Sequence, residues 1–235
     1  MIPISDDNPA RLTPIVNWAL ILACIAVYVW EVRQGADIGA VYAQYGFTPK
    51  WLMSPPLSPA DETGWSALIN IFTSMFLHGG ILHLAGNMLY LWIFGNNIED
   101  AMGHSRYLLF YFLSGIAAAL TMAFMDPSST TPMIGASGAI SGVLGAYMLL
   151  YPRALVTVIV PLGIIFYPFR IRAVWVVGIW FAMQLFSAAV SNPDSPGVAW
   201  WAHVGGFAAG LLLTPFLKSS NIPFFGPRRL RGPWD

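Results

Sequence analysis

Charge is what this chain has least of. Only 9% of its 235 residues are Asp, Glu, Lys or Arg, against 57% hydrophobic. A soluble domain carries about 25% charged residues, so the composition excludes a soluble globular protein and reads as a multi-pass membrane protein. Formal net charge is zero, which gives no electrostatic footprint for nucleic acid. A single cysteine, Cys24, rules out an intramolecular disulfide and a cysteine metal cluster. It sits in an apolar run and is expected to pack there. The first ten residues lack a basic n-region and include Asp6 and Asp7, which argues against a cleaved signal peptide. No internal repeat and no extramembrane stretch long enough for a second domain is present. The expectation is one integral membrane domain over residues 1–235.

Apolar runs then divide the chain. Spans are expected at about 14–30, 80–97, 107–125, 137–151, 173–190 and 198–217. Between the first two, Glu31 to His78 mixes prolines and polar residues with Tyr42, Tyr45, Phe47, Trp51 and Trp65. That composition suits an interfacial loop with short helices. Ala154 to Phe169 is apolar and rich in β-branched residues, but short and interrupted by Pro161, Gly163 and Pro168. A crossing helix needs about 20 apolar residues, so this stretch is expected to lie on, or dip into, one leaflet. Asn192–Gly197 reads as a turn. With six spans both termini share a side. That side collects Arg11, Arg106, Arg153, Arg170, Arg172, Lys218, Arg228, Arg229 and Arg231, and the other has Arg33 and Lys50. The bias makes the termini cytoplasmic, with the basic tail resting on anionic lipid.

Polar residues inside spans are costly and need a reason. Gly135-Ala136-Ser137-Gly138 opens the fourth span with a serine among small residues, at a helix start where free N–H groups and the helix dipole favour negative charge. Acyl transfer at a nucleophilic serine needs that environment, because it makes an oxyanion. A lone membrane serine more often bonds back to a carbonyl one turn earlier. Other spans raise the signal. Ser137 lies 16 residues from Arg153, His203 15 from Lys218 and His83 16 from Glu99, each roughly 22–24 Å of helix. The serine and both histidines therefore share one level in the outer leaflet. Asn87 follows His83 by one turn on the same face. Gly138, Gly142 and Gly145 in the fourth span, and Gly205, Gly206 and Gly210 in the sixth, permit close backbone approach. His203 can then accept the Ser137 proton, while His83, Asn87 and the Ser137 N–H donate to an oxyanion.

The bland alternatives are a helix–helix bond for His203, Asn87 or Gln184, and solvation for His104. His78, His83 and His203 can be assembled as metal ligands on paper, but no H-E-x-x-H and no neighbouring intramembrane carboxylate supports that. No metal and no cofactor is expected.

At these residues the sequence resembles the rhomboid family of intramembrane serine proteases. The matching motifs are Gly135-Ala136-Ser137-Gly138, His83-x-x-x-Asn87 and Ala202-His203-x-x-Gly206-x-x-x-Gly210. The resemblance implies an all-α, six-helix bundle and a Ser137–His203 dyad without an aspartate. It also implies an oxyanion site at His83 and Asn87, a structural role for His78, and cleavage of membrane-anchored substrates. Two departures stand out. Ile69-Asn70 occupies the place of the family's frequent Trp-Arg. Ser141 stands where many members carry an aromatic that packs on the histidine, so His203 must be held by other contacts. The resulting expectation is an intramembrane endopeptidase in a prokaryotic plasma (inner) membrane. It cuts transmembrane segments with helix-weakening residues in the outer-leaflet region. The alternatives are a catalytically silent relative that binds membrane proteins, and a transporter or channel, for which paired broken spans are missing.

Overall fold

A computed structural model describes residues 2–53, 63–162, 165–191 and 198–226, without the side chains of 63–66, 161, 162, 165 and 166. The expected turn at 192–197, the tail arginines Arg228, Arg229 and Arg231, Gly163, the Trp65 side chain and the loop residues 54–62 lie outside the described residues.

The chain begins with strand β1 (Ile2–Asp6) and helix α1 (Ile15–Val32), and continues through short helices α2 (Ile38–Tyr45), α3 (Pro49–Met53) and α4 (Thr63–Thr73). Then come α5 (Ile81–Tyr90), a π-helical turn at Leu91–Gly95, α6 (Asn96–Met102) and α7 (His104–Met125). Helix α8 (Ser137–Leu150), strands β2 (Leu155–Leu162) and β3 (Ile165–Arg172), and helices α9 (Ala173–Val190) and α10 (Trp200–Leu217) complete it. Each expected apolar span is helical. Four helices, α1, α7, α9 and α10, are long and apolar enough to cross a membrane. A fifth crossing is added if the bent pair Ala67–Phe76 and Ile81–Met102, which turns through 84°, counts as one. Helix α8 has 14 residues, about 21 Å of rise, short of the ~30 Å hydrocarbon core. Large apolar side chains such as Leu22, Leu82, Phe186 and Phe216 are exposed on the outside of the bundle, the surface that lipid would cover.

The expected all-α fold needs correction. Ala154–Phe169 is not an irregular loop but most of a hairpin. β2 pairs antiparallel with β3 from Leu155↔Arg172 to Leu162↔Ile165, and β1 adds antiparallel to β2 from Ile2↔Ile159 to Asp6↔Val156, with a bulge between Pro3 and Ser5. Val156 and Val158 are buried, the period-2 pattern of a strand with one face covered. The β-branched run favours the extended chain. The prolines that read as breakers fit a sheet margin, since Pro168 is on edge strand β3 and Pro161 lies one residue from the end of β2. The stretch still contributes no crossing helix.

Glycines set the centre of the bundle. A Cβ at Gly206 would fall on the Gly138 carbonyl oxygen, and one at Gly210 on that of Gly142. A Cβ at Gly145 would lie 2.6 Å from the Phe207 oxygen. Helices α8 and α10 thus meet backbone to backbone, in the small-residue packing that membrane helices use.

At the strand end of the bundle the polar groups interlock. The Glu99 carboxylate accepts the Val16 and Asn17 N–H groups at 3.0 and 2.8 Å, supplying the acceptors that the first turn of α1 lacks. Asp100 accepts the Arg11 and Leu12 N–H groups. Asn17 donates to the Leu91 carbonyl in the π turn and accepts from Tyr107. Asn97 donates to Asp6 and accepts from Asn8, and Tyr147 donates to Asp6. His104, expected to be solvated, is partly exposed and also meets the buried Glu99 carboxylate.

Candidate active site

Ser137 is the first residue of α8, where first-turn N–H groups have no intrahelical acceptor. The approach is fixed by Gly135, whose N–H donates to the Ser74 carbonyl at 2.8 Å. Gly135 has φ +118°, a region open to glycine and few other residues. A Cβ there would also lie 2.8 Å from His83 Nε2 and Cε1 and 3.7 Å from Ser137 Oγ. Glycine therefore serves both the turn and the close approach of the His83 ring to the serine.

The structure brings the four sequence-selected residues to one cavity. Ser137 Oγ and His203 Nε2 lie 2.8 Å apart. The cavity, about 270 Å³, is lined by Ser137, His203, His83 and Asn87, with Leu82, Gly86, Tyr90, Ile140, Leu144, Trp180 and Val198 supplying apolar walls. His83 Nδ1 accepts the Gly79 N–H at 3.2 Å. That bond requires a lone pair on Nδ1, so a neutral His83 carries its proton on Nε2, the atom facing Gly135 and the serine. Asn87 Nδ2 donates to the His83 carbonyl at 3.0 Å. One N–H positions the amide against its own helix, and its second N–H remains available to the cavity.

Ser141 donates to the Ser137 carbonyl at 2.6 Å, the back-bond one turn earlier, so its hydroxyl proton is committed within α8. The contacts that replace the missing aromatic come from α9 and α10. Gln184 Oε1 lies 2.7 Å from His203 Nδ1. The rings of Trp180 and Trp200 lie with centroids 6.0 and 6.1 Å from the imidazole. Gln184, read from sequence as a helix–helix hydrogen bond, is one, and its partner is the site histidine. The signal that marked it was its cost, as the one amide in an otherwise apolar span.

His78 is fully buried behind the site. Its N–H donates to the Glu31 carboxylate, its Nδ1 faces the Phe76 carbonyl at 3.1 Å, and its ring meets His83 edge-on at 5.2 Å. Glu31, assigned from sequence to the loop after the first span, belongs to α1 and is buried. The Asn70 side chain, in place of the family's arginine, donates to the Gln44 carbonyl at 2.9 Å, and Thr73 to that of Tyr45 at 2.6 Å. Together they tie α4 to the end of α2. Cys24 is buried and unoxidised. Among the described residues, no three His, Cys, Asp or Glu side chains converge as metal ligands.

Comparisons with known proteins bear on this arrangement. Residues 66–220 match the family model described as "Rhomboid domain". Rhomboid protease GluP of Bacillus subtilis (strain 168) is 33% identical over 162 residues, covering 68% of this chain and 28% of its own length. RHOMBOID-like protein 4 of Arabidopsis thaliana is 33% identical over 152 residues, covering 65% of this chain and 34% of its own length. Rhomboid protease GlpG of Klebsiella pneumoniae subsp. pneumoniae is 24% identical over 199 residues, covering 84% of this chain and 61% of its own length. The chain thus spans from 28% to 61% of the length of these relatives.

Proposed function

The chain belongs to the rhomboid family, and on that premise we propose that it is an intramembrane serine endopeptidase. The observation that carries the reading is the 2.8 Å approach of Ser137 Oγ to His203 Nε2 at the wall of a cavity that His83 and Asn87 also line.

In this reading His203 takes the Ser137 proton on Nε2 as Oγ attacks the scissile carbonyl carbon. The carbonyl oxygen becomes an oxyanion, stabilised by His83 Nε2–H, the free Asn87 N–H and the Ser137 N–H. His203 then returns its proton to the leaving amine as the C–N bond breaks. Water admitted to the cavity attacks the acyl-enzyme, His203 acts again as base, and Ser137 is regenerated as the acid product leaves. The apolar walls favour a membrane-embedded chain as substrate. A helical peptide bond is shielded by its own backbone, so substrates are transmembrane segments carrying helix-weakening residues.

The setting we infer is a prokaryotic plasma membrane crossed six times, with α8 as the short central span and both termini cytoplasmic. Nine basic residues against two support that orientation, and it puts Ser137 in the outer-leaflet half. The reading is tested by incubating the purified protein in detergent or liposomes with a transmembrane peptide carrying a helix-breaking segment. Cleavage by the wild type and none by Ser137→Ala is expected. Equal cleavage by both would remove the serine from the chemistry.

A further inference from the structure

A dyad histidine needs one ring nitrogen free to accept from the serine, which requires the proton to sit on the other. The structure shows what fixes this in the absence of an aspartate and of an aromatic at Ser141. Gln184 donates its own amide N–H back to the Trp180 carbonyl at 3.2 Å, one turn earlier on α9. With Nε2 committed to that bond, Oε1 is the atom turned to His203 Nδ1, 2.7 Å away. An amide oxygen accepts only, so Nδ1 must be the donor and Nε2 the acceptor facing Ser137. Both residues are buried, Gln184 to 5% and His203 to 8% exposure, so water does not readily substitute for this bond.

We propose that Gln184 is a positioning residue of the proteolytic site: through Nδ1–H···Oε1 it holds the tautomer and the ring plane of His203 from α9. The proposal rests on the protease reading for its kinetic consequence but not for its structural one. It also makes α9 part of the machinery. Trp180 flanks the same imidazole from the same helix, so His203 is held from α9 by a ring and an acceptor one turn apart.

Three variants test this. Gln184→Met keeps the volume and removes the acceptor. Gln184→Glu restores an acceptor at the same reach. Ser137→Ala leaves the Gln184 bond in place and removes the serine. With 15N-histidine labelling, the four imidazoles are few enough to assign by substitution. The expected result is a His203 protonated on Nδ1 in the wild type and in Ser137→Ala, and a mixture of tautomers in Gln184→Met. This readout is independent of proteolysis. A wild-type His203 protonated on Nε2, or a tautomer unchanged in Gln184→Met, overturns the proposal. In the cleavage assay, Gln184→Met should lower kcat about 10- to 100-fold, the range seen when a bond that orients a functional histidine is lost. KM should be little changed, and Gln184→Glu should recover most of the rate. Wild-type kcat in Gln184→Met, or a Glu variant no better than Met, would also overturn it. Failure of the wild type to cleave, with the tautomer as expected, would instead count against the protease reading.

Discussion

The two polar ends of the molecule are built on opposite rules. At the strand end Glu99, Asn17 and Asn97 are fully buried, and their hydrogen-bonding groups are spent on one another, on Asp6, Asn8, Tyr107 and His104, and on backbone N–H and C=O groups, with the buried Asn8 oxygen the exception. At the Ser137 end each polar residue makes a bond that orients it and turns another group to the cavity or to its partner there. His203 gives Nδ1 to Gln184 and faces Ser137 with Nε2; His83 accepts from Gly79 and points Nε2 inward; Asn87 spends one N–H on the His83 carbonyl. A satisfied buried network rigidifies, whereas a half-satisfied one is costly unless something arrives to complete it. The first end fixes the helices, and in the proposed mechanism the second keeps its donors for an oxyanion.

The sharpest way to break that comparison is at the half-satisfied end. Ser137→Ala and His203→Ala should each lower cleavage about 10⁴-fold or more, and the double variant no further, because a nucleophile and its base act as a unit. Thermal unfolding in detergent should shift little for Ser137→Ala, whereas His203→Ala, which leaves the buried Gln184 oxygen without its donor, should lower stability by about 1–3 kcal/mol and still fold. Substantial turnover by either single variant would separate the pair.

Next in size are the oxyanion donors. Asn87→Ala should lower kcat about 10²-fold, toward the low end for such donors because three share the charge. His83→Ala should behave alike, and KM should change less than kcat in both. Wild-type turnover in both would leave these residues a packing role.

At the satisfied end the effect should move from rate to stability. Glu99→Ala strips the acceptor from two N–H groups at the start of α1 and should cost about 1–3 kcal/mol, read by thermal or denaturant unfolding. The kcat of the folded fraction should stay unchanged. A loss of kcat with no loss of stability would show that the two ends are not separable.

The last effect, similar in size to that of Glu99→Ala, concerns pH. Burial pushes the Asp6 carboxyl up to about 7, with Asp7 adding to the rise and the bonds from Tyr147 and Asn97 opposing it. The native state therefore holds this proton more tightly than the unfolded chain. The contribution is full below the unfolded value, near 3.9, declines as pH rises toward about 7, and is flat above. The protein should be more stable at pH 5 than at pH 8 by this contribution, and Asp6→Asn should flatten that slope. An unchanged slope would assign the pH dependence elsewhere.

The same contrast explains what was legible in the sequence. Ser137, His83, Asn87 and His203 announce themselves because each is a polar group in an apolar span, and helical rise brings the serine and both histidines to one level, with Asn87 one turn from His83 on the same face. The close approach of α8 and α10 follows from Gly138, Gly142, Gly206 and Gly210 in the same way. The sheet did not show, because β1 is five residues with a bulge and its partner strand β2 lies about 150 residues away, a separation that no local pattern encodes. The prolines of the hairpin masked it further. Glu31 was misplaced for a related reason. A carboxylate at the end of an apolar run reads as the start of a loop, and only tertiary packing sets Glu31 under His78. Gln184 was visible as a buried amide, but its partner, 19 residues away on another helix, was not.

The most direct test of the central claim is reaction of the purified, folded protein with a fluorophosphonate, followed by mass spectrometry of the adduct. Phosphonylation needs a serine whose proton is taken by a neighbouring base. The account predicts one adduct, on Ser137, formed by the wild type and lost in His203→Ala, which still unfolds cooperatively. No adduct on folded wild-type protein, or equal labelling of Ser137 without His203, would contradict it.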